Sequence, residues 1–281
     1  MSSQFVIRPT EYNAENIVFT EPKNNKITKK LTSYLLNSNT KTGFGIETPK
    51  MTAQFGLSVY DPSGSNGGGD PESFTYSIPL RVDFKPDEPE LENESDEIKT
   101  QRRFIQYLKD LDQKAIDFGV KYSNLIFKKV YTESQRGVVE ALYTPLIKPQ
   151  VGKDGTKYQD TIKIKLGGNQ QRTGPHESML FFMNREQKVV ETWDDLSNIV
   201  CKSAKVKAII QPQIYMIAGK FGLKFRLIQM KVDEVKRITA PVGYAFSDAP
   251  EEEVVETTNS SKSNTHADDS DNEAEEVNEE E

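Results

Sequence analysis

An acid-free stretch from Leu196 to Val232 constrains this chain most, because its pattern predicts two strands joined by a short turn. Residues 204–217 are rich in β-branched side chains, and residues 223–232 alternate between apolar and polar side chains. Two glycines, Gly219 and Gly222, lie between the segments, as a hairpin connection requires. The stretch therefore predicts a β-hairpin that carries seven basic residues and no acidic one.

The predicted hairpin combines cations with aromatic side chains. Because side chains alternate along a strand, Lys224 and Arg226 fall on one face, and Phe225 falls on the other with Leu223 and Leu227, which is a core pattern. A basic ribbon with aromatics at its turn can hold phosphates and stack on bases, and a solvated strand face over an ordinary core is the alternative. The candidate nucleic-acid-binding residues of the hairpin are Lys205, Lys207, Tyr215, Lys220, Phe221, Lys224, Phe225 and Arg226.

A second basic strip is predicted in the segment 161–165, where lysines alternate with isoleucines. Lys163 and Lys165 therefore share one face of a strand with Thr161. Both lysines are further candidates for nucleic-acid binding, and a solvated strand face is again the alternative.

Charge is unevenly distributed along the 281 residues, although the formal net charge is only −7. Residues 248–281 hold 14 acidic residues and one Lys, so the rest of the chain carries a net charge of +6. A second acidic run lies at residues 83–97. This asymmetry indicates a polyanionic partner and an acidic tail that competes with it. A tail that only maintains solubility is the alternative.

Strand-like segments dominate the remaining sequence. They lie at residues 16–20, 27–36, 54–60, 73–84, 138–147, 158–166 and 178–184. One long helix is predicted, because apolar residues from Phe104 to Phe118 form a stripe at helical spacing that Gly119 ends. Trp193 begins a segment that is expected to form a turn or short helix.

These elements predict a mainly β fold, namely an extended OB-fold-like antiparallel barrel with one long helix packed on it and a disordered acidic tail. The expected domains are an OB-like nucleic-acid-binding domain at residues 1–247 and the tail at residues 248–281. Mobile loops are expected at residues 61–72 and 85–97, which are rich in turn-forming or acidic residues.

Patterns of catalytic or metal-binding residues are not found in the sequence. Cys201 is its only cysteine, which excludes an intrachain disulfide and fits a reducing compartment. One cysteine and two histidines cannot build a structural zinc site. The N-terminus lacks a signal-like apolar region, and no run approaches the ~20 apolar residues of a membrane span. We therefore expect a non-enzymatic, intracellular protein that is not secreted and uses no metal, cofactor or membrane.

Three segments and the tail from Asp248 carry a resemblance to a known family. The segments are residues 193–196, 209–217 and 220–230. They resemble the single-stranded DNA-binding proteins of short-tailed phages and of nucleocytoplasmic large DNA viruses, and the resemblance is architectural outside residues 190–235. It implies an extended OB-fold with a packed helix, a basic groove lined with aromatics, and a disordered acidic C-terminal tail.

The resemblance also implies a function. A protein of this kind coats single-stranded DNA during viral DNA replication, recombination or repair, in the host cytoplasm or nucleus. The partners implied are single-stranded DNA and, through the acidic tail, replication proteins such as a polymerase or helicase, and a homodimer is one expected assembly. In the phage members the tail ends in an aromatic residue, whereas this chain ends with three glutamates after Asn278.

Two other functions remain open at the level of the sequence. One is a virion structural or scaffold β-barrel protein whose basic strips contact the packaged genome or the capsid. The other is an acidic-tailed chaperone that binds histones.

Removal of the tail is expected to strengthen binding to single-stranded DNA. A tethered acidic segment competes for a basic groove at an effective concentration in the ~mM range, and a chain ending at Phe246 carries a net charge of +6. The gain should be largest at low salt and should shrink as the Debye length falls to ~8 Å near physiological ionic strength. Titration of a labelled oligonucleotide with both chains measures the effect, and an equal or weaker affinity of the shorter chain at low salt contradicts the competitor hypothesis.

Overall fold

The computed structural model describes residues 5–26, 30–63, 73–84, 89–151, 154–217 and 219–233. All of them belong to the unit Met1–Lys236. The expected domain boundary after residue 247 and the acidic tail 248–281 lie outside the described residues, as do residues 64–72 and 85–88 of the two expected mobile loops.

Strands outnumber helices in the described residues. The strands are β1 Phe5–Ile7, β2 Ile17–Phe19, β3 Lys23–Asn24, β4 Leu31–Thr32, β5 Leu35–Asn37, β6 Phe44–Glu47, β7 Met51–Ala53, β8 Ser58–Tyr60, β9 Thr75–Arg81, β10 Tyr143–Thr144, β11 Ile147–Val151, β12 Lys157–Lys165, β13 Leu180–Met183, β14 Glu186–Lys188, β15 Ala204–Ile217 and β16 Lys220–Val232. The helices are α1 Asp96–Lys121, α2 Ser123–Phe127, α3 Arg136–Leu142 and α4 Trp193–Ile199, with short 3₁₀ helices at Ala14–Asn16 and Glu133–Gln135.

Five of these strands close into a barrel in the order β7–β9–β12–β16–β15, and β15 returns to β7. Four of the five contacts are antiparallel, and the pairing of β12 with β16 is parallel. A five-stranded Greek-key barrel with this order is the OB architecture. The predicted fold class is therefore confirmed: the protein is mainly β, an extended OB-like barrel with one long helix packed on it.

The predicted hairpin forms the largest part of the barrel, because β15 and β16 pair antiparallel along most of their length, from Val206 with Val232 to Ile217 with Lys220. A bulge between Ile209 and Ile210 interrupts the register once. The alternation of the sequence places Leu223, Phe225 and Leu227 in the core. Their polar neighbours consequently lie on the outer face of the barrel.

The second edge of β15 is only partly covered. It pairs with β7 from Ala204 to Val206 and with β6 at Ile209 and Ile210. From Gln211 onward this edge has no strand partner within the described part of the chain. Pro212, which has no N–H to donate, occupies this edge, as is usual for a proline within a sheet.

The long helix begins after Ser95, which caps its N-terminus. The Ser95 side chain accepts a hydrogen bond from the Ile98 backbone N–H, and Asp96 and Glu97 lie in the first turn, where acidic residues suit the helix dipole. The apolar stripe is confirmed, since Phe104 and Leu111 on it are fully buried.

Gly119 does not end the helix, which continues to Lys121. A Cβ atom placed on Gly119 would lie 2.8 Å from Cε2 of Phe221 and 2.9 Å from Cγ1 of Val139. The glycine therefore allows the helix to approach the hairpin closely, and its role is packing rather than termination.

The strand predicted at residues 138–147 is wrong at its start, because residues 136–142 form α3. Arg136 forms ion pairs with Glu140 on the same helix and with Asp117 on α1. The i,i+4 pair and the contact with α1 favour a helix over the strand that the adjacent valines suggested.

Replacing Gly119 by Ala should lower the free energy of unfolding. Crowding of Phe221 and Val139 is expected to cost ~1–3 kcal/mol, which outweighs the gain in helix propensity of ~1 kcal/mol in most of that range. Gly137→Ala is the matched control, since nothing lies within 4 Å of a Cβ placed on this residue of α3. Urea unfolding should show a destabilised Gly119→Ala and a neutral or stabilised Gly137→Ala, and equal stabilisation of both would contradict the close approach.

Candidate nucleic-acid interface

The outer face of the barrel brings the two predicted basic strips together. The parallel pairing of β12 with β16 places Lys165 directly beside Arg226. Lys163 precedes Lys165 on the same face of β12, and Lys224 precedes Arg226 on the same face of β16. Four cations that are distant in the sequence thus form one surface.

A cavity of about 230 Å³ lies within this surface. Its charged lining consists of Lys148, Lys163, Lys165 and Lys224, and Tyr215 contributes an aromatic ring. No carboxylate lines it, and none of these lysines forms an ion pair with another described residue. We name this cavity, together with the adjoining side chain of Arg226, the basic groove.

The lysines of the basic groove disturb one another electrostatically. Burial, followed by the charges of Lys163 and Lys165, lowers the pKa of Lys148. Burial, followed by the charge of Lys165, also lowers the pKa of Lys224. Positive charges held together without a neighbouring carboxylate repel one another, and a bound anion would relieve this repulsion.

The end of the Tyr215 ring lies close to Gly222 on the outer face of the barrel. Tyr215 pairs across the hairpin with Gly222, and a Cβ atom placed on Gly222 would lie 2.8 Å from the Tyr215 Oη and 3.0 Å from its Cζ. Only glycine leaves room for the ring at this point. The structure places Tyr215, a predicted site residue, on the lining of the basic groove beside four lysines.

The structure corrects the predicted base-stacking role of Phe221 and Phe225, whose exposed fraction is 0% for both side chains. Phe221 lies under α1, 5.1 Å from the ring of Tyr143 and 5.5 Å from that of Phe127, measured between ring centroids. Phe225 faces the barrel interior beside Leu223 and Leu227, as its alternation suggested. Neither ring is accessible to a base.

Lys205 and Lys207 lie at the opposite end of β15 from the basic groove, and both are neutralised. Lys205 Nζ lies 3.0 Å from a carboxylate oxygen of Asp83, and Lys207 Nζ lies 3.2 Å from one of Glu47. Burial of Asp83 opposes its ionisation, but hydrogen bonds led by that from Lys205 outweigh the burial, and its pKa is lowered. The structure does not bring these two lysines together with the other predicted site residues.

Two further cations, Lys220 and Lys148, lie on the same surface. Lys220 is exposed at the turn of the hairpin, opposite Ile217, which lines the basic groove. Lys148 was missed from the sequence, because it follows a segment whose pairing could not be predicted. Antiparallel pairing of β11 with β12 sets Lys148 opposite Thr161 and beside the second basic strip.

Thr144, Pro145 and Leu146 form one wall of the basic groove. A buried carboxylate of α1 holds this wall, since Asp112 accepts hydrogen bonds from the Tyr143 hydroxyl at 2.6 Å and from the Leu146 backbone N–H at 3.2 Å. Burial raises the pKa of Asp112 to about 6 in spite of these hydrogen bonds. The long helix therefore positions one side of the groove.

Features of other kinds of site are absent from the described residues. No group of three or more His, Cys, Asp or Glu is placed there to hold a metal ion. In the same part of the chain, no helix has the length and apolar character needed to cross a membrane.

Comparison with solved structures found several similar chains. The fold is similar to that of phage single-stranded DNA-binding proteins. The crystal structure of gp2.5, a single-stranded DNA-binding protein encoded by bacteriophage T7, has 14% sequence identity and a TM-score of 0.38, and the match covers 68% of this chain and 92% of that one.

The single-stranded DNA-binding protein of bacteriophage Enc34 is similar in two further structures. A C-terminal truncation has 12% identity and a TM-score of 0.37, with 80% of this chain and 99% of that one covered. The complex with single-stranded DNA has 16% identity and a TM-score of 0.33, with 77% and 97% covered. No protein-family model and no curated protein matches the sequence. The OB assignment rests on the strand order of the barrel and not on these similarities.

Asp112→Asn should change how stability depends on pH. Because the folded pKa of Asp112, about 6, exceeds the ordinary 3.8, the folded state binds the proton more tightly, and the contribution of Asp112 to stability falls as pH rises from 4 to 6. Relative to the Asp112→Asn variant, which retains a carbonyl acceptor for Tyr143, the wild-type chain should lose about 2 kcal/mol between pH 4 and 7. Chemical denaturation of both proteins across this range measures the difference.

The control is Asp110→Asn, which removes a carboxylate from an exposed position of the same helix. Its stability difference from the wild-type chain should stay nearly constant over the same pH range. A constant difference for Asp112→Asn as well would contradict the assignment.

Proposed function

We propose that this protein binds single-stranded DNA without catalysing a reaction. The observation that carries the proposal is the basic groove, in which four lysines and a tyrosine meet on the outer face of an OB-like barrel with no carboxylate among them. A cationic track with an aromatic platform is the arrangement with which proteins bind single strands independently of sequence.

The chemistry assigns different roles to the residues of the groove. Lys163, Lys165 and Lys224 hold phosphates, and their mutual repulsion makes the groove a better site for a polyanion than for a single small anion. Tyr215 offers its ring to a base, because the ring lines the groove beside the lysines that hold the phosphates. Arg226 extends the cationic surface towards the loop that begins at Gly167, where a Cβ atom would lie 4.0 Å from its Nη2.

A role in the replication, recombination or repair of viral DNA forms part of the proposal, and its support is the sequence resemblance over residues 190–235. The tail at residues 248–281, outside the described residues, is proposed to compete with DNA for the groove. Released by DNA, it would be available to replication proteins.

Removal of groove cations should reduce both the affinity for single-stranded DNA and its dependence on salt. The slope of log K against log salt should become less steep by ~0.7 for each phosphate that the variant no longer neutralises. We expect this for Lys163→Ala combined with Lys165→Ala and, independently, for Lys224→Ala combined with Arg226→Ala. Titrations of a labelled oligonucleotide at several salt concentrations give the slopes.

A matched control combines Lys128→Ala with Lys129→Ala, which removes two exposed cations that do not line the groove. It should lower the affinity only slightly and leave the slope close to that of the wild-type chain. Unchanged slopes in both groove variants, together with a reduced slope for Lys205→Ala combined with Lys207→Ala, would place the binding site at the other end of β15. Tighter binding to duplex than to single-stranded DNA would overturn the proposed function.

A further inference from the structure

A second cavity adjoins the basic groove. It has a volume of about 380 Å³ and lies between the segment 31–36, which contains β4 and the start of β5, and the partly uncovered edge of β15 at residues 211–214. Lys224 lines both cavities, so they meet at this side chain. No carboxylate lines the second cavity.

Tyr34, in the two-residue link between β4 and β5, lines this cavity and is 64% exposed. Both the N–H and the carbonyl of the Tyr34 backbone form hydrogen bonds with Thr20. The Tyr34 N–H donates to the Thr20 hydroxyl at 2.9 Å, and the Thr20 N–H donates to the Tyr34 carbonyl at 2.9 Å. The link that carries the ring is therefore held to Thr20 by two hydrogen bonds, which reduces the entropy lost when the ring binds a partner.

The rest of the lining is suited to a planar group with polar edges. Leu31, Leu36 and Pro212 provide apolar walls, and Gln211 and Gln213 bring two side-chain amides to the same space. An amide can both donate and accept hydrogen bonds, so it can pair with the edge of any base. Apolar walls, an aromatic ring and amides together form a site of the kind that binds an unstacked nucleobase.

The geometry points to a nucleotide subsite in this cavity, an inference that rests on the proposed function. The single-stranded DNA passes from the basic groove over Lys224, which holds the intervening phosphate. The next base then enters the second cavity and stacks on Tyr34. The site would therefore be longer than the groove alone, and it would accept any base because its polar contacts come from amides.

A cycle that combines a protein change with a DNA change tests this subsite. Intact oligothymidylates of increasing length are titrated with the wild-type chain, Tyr34→Ala and Tyr34→Phe. A second series has one abasic site, placed at a different position in each oligonucleotide, and is titrated with the same three proteins. For oligonucleotides long enough to reach both cavities, Tyr34→Ala should weaken binding about fivefold to 100-fold. Tyr34→Phe keeps the ring and should bind like the wild-type chain.

An abasic site at the position whose base enters the cavity should weaken binding to the wild-type chain. The same abasic site should not change the affinity of Tyr34→Ala, because the base and the ring that it stacks on form one interaction. The shortest oligonucleotides that still bind should not distinguish the variants. Phe55→Ala is the matched control, since Phe55 is 57% exposed and lines neither cavity.

Equal affinity of Tyr34→Ala and the wild-type chain at every length would overturn the subsite. So would an equal loss at every abasic position, because the ring and one base would then not be coupled. The proposed function is judged separately by the Lys163 and Lys165 variants. If those variants lose affinity and Tyr34→Ala does not, the protein binds single-stranded DNA without the subsite.

Discussion

The antiparallel pairing of β15 with β16 is the interaction on which the rest of the structure depends. The two strands pair with each other and also supply the barrel with its contacts to β7 and to β12. Because side chains alternate, a slip of one residue would bring Phe225 to the surface and Lys224 to the core. The burial of the phenylalanine therefore fixes which cations face outward, so that the core and the candidate site are determined by the same register.

Some of this arrangement is visible in the sequence because it depends on local periodicity. Alternation identified the outer face of β16 and the strip of β12, and helical spacing identified the buried face of α1. The roles of Lys205 and Lys207 could not be predicted, since their partners Asp83 and Glu47 lie 122 and 160 residues away in the chain. Phe221 was misassigned because an aromatic beside a turn is expected to be exposed, whereas here α1 covers the end of the hairpin.

The two ends of β15 both carry lysines, but they differ in whether carboxylates balance the positive charge. At one end, lysines meet carboxylates from β6 and from the segment after β9, and their field is cancelled locally. At the other end, lysines from β11, β12 and β16 meet only one another and a tyrosine. A surface of this kind attracts an anion to one end of β15, because the lysines at the other end are already compensated.

The proline at the partly uncovered edge of β15 has a consequence for the behaviour of the protein in concentrated solution. A long strand with a vacant edge can serve as a template for the same strand of another molecule, and growth by this route leads to aggregates. At Pro212 the edge offers no donor, so an added strand would lack a rung of its ladder at that position. The residue thus protects the fold against self-templated assembly while leaving the side chains beside it accessible.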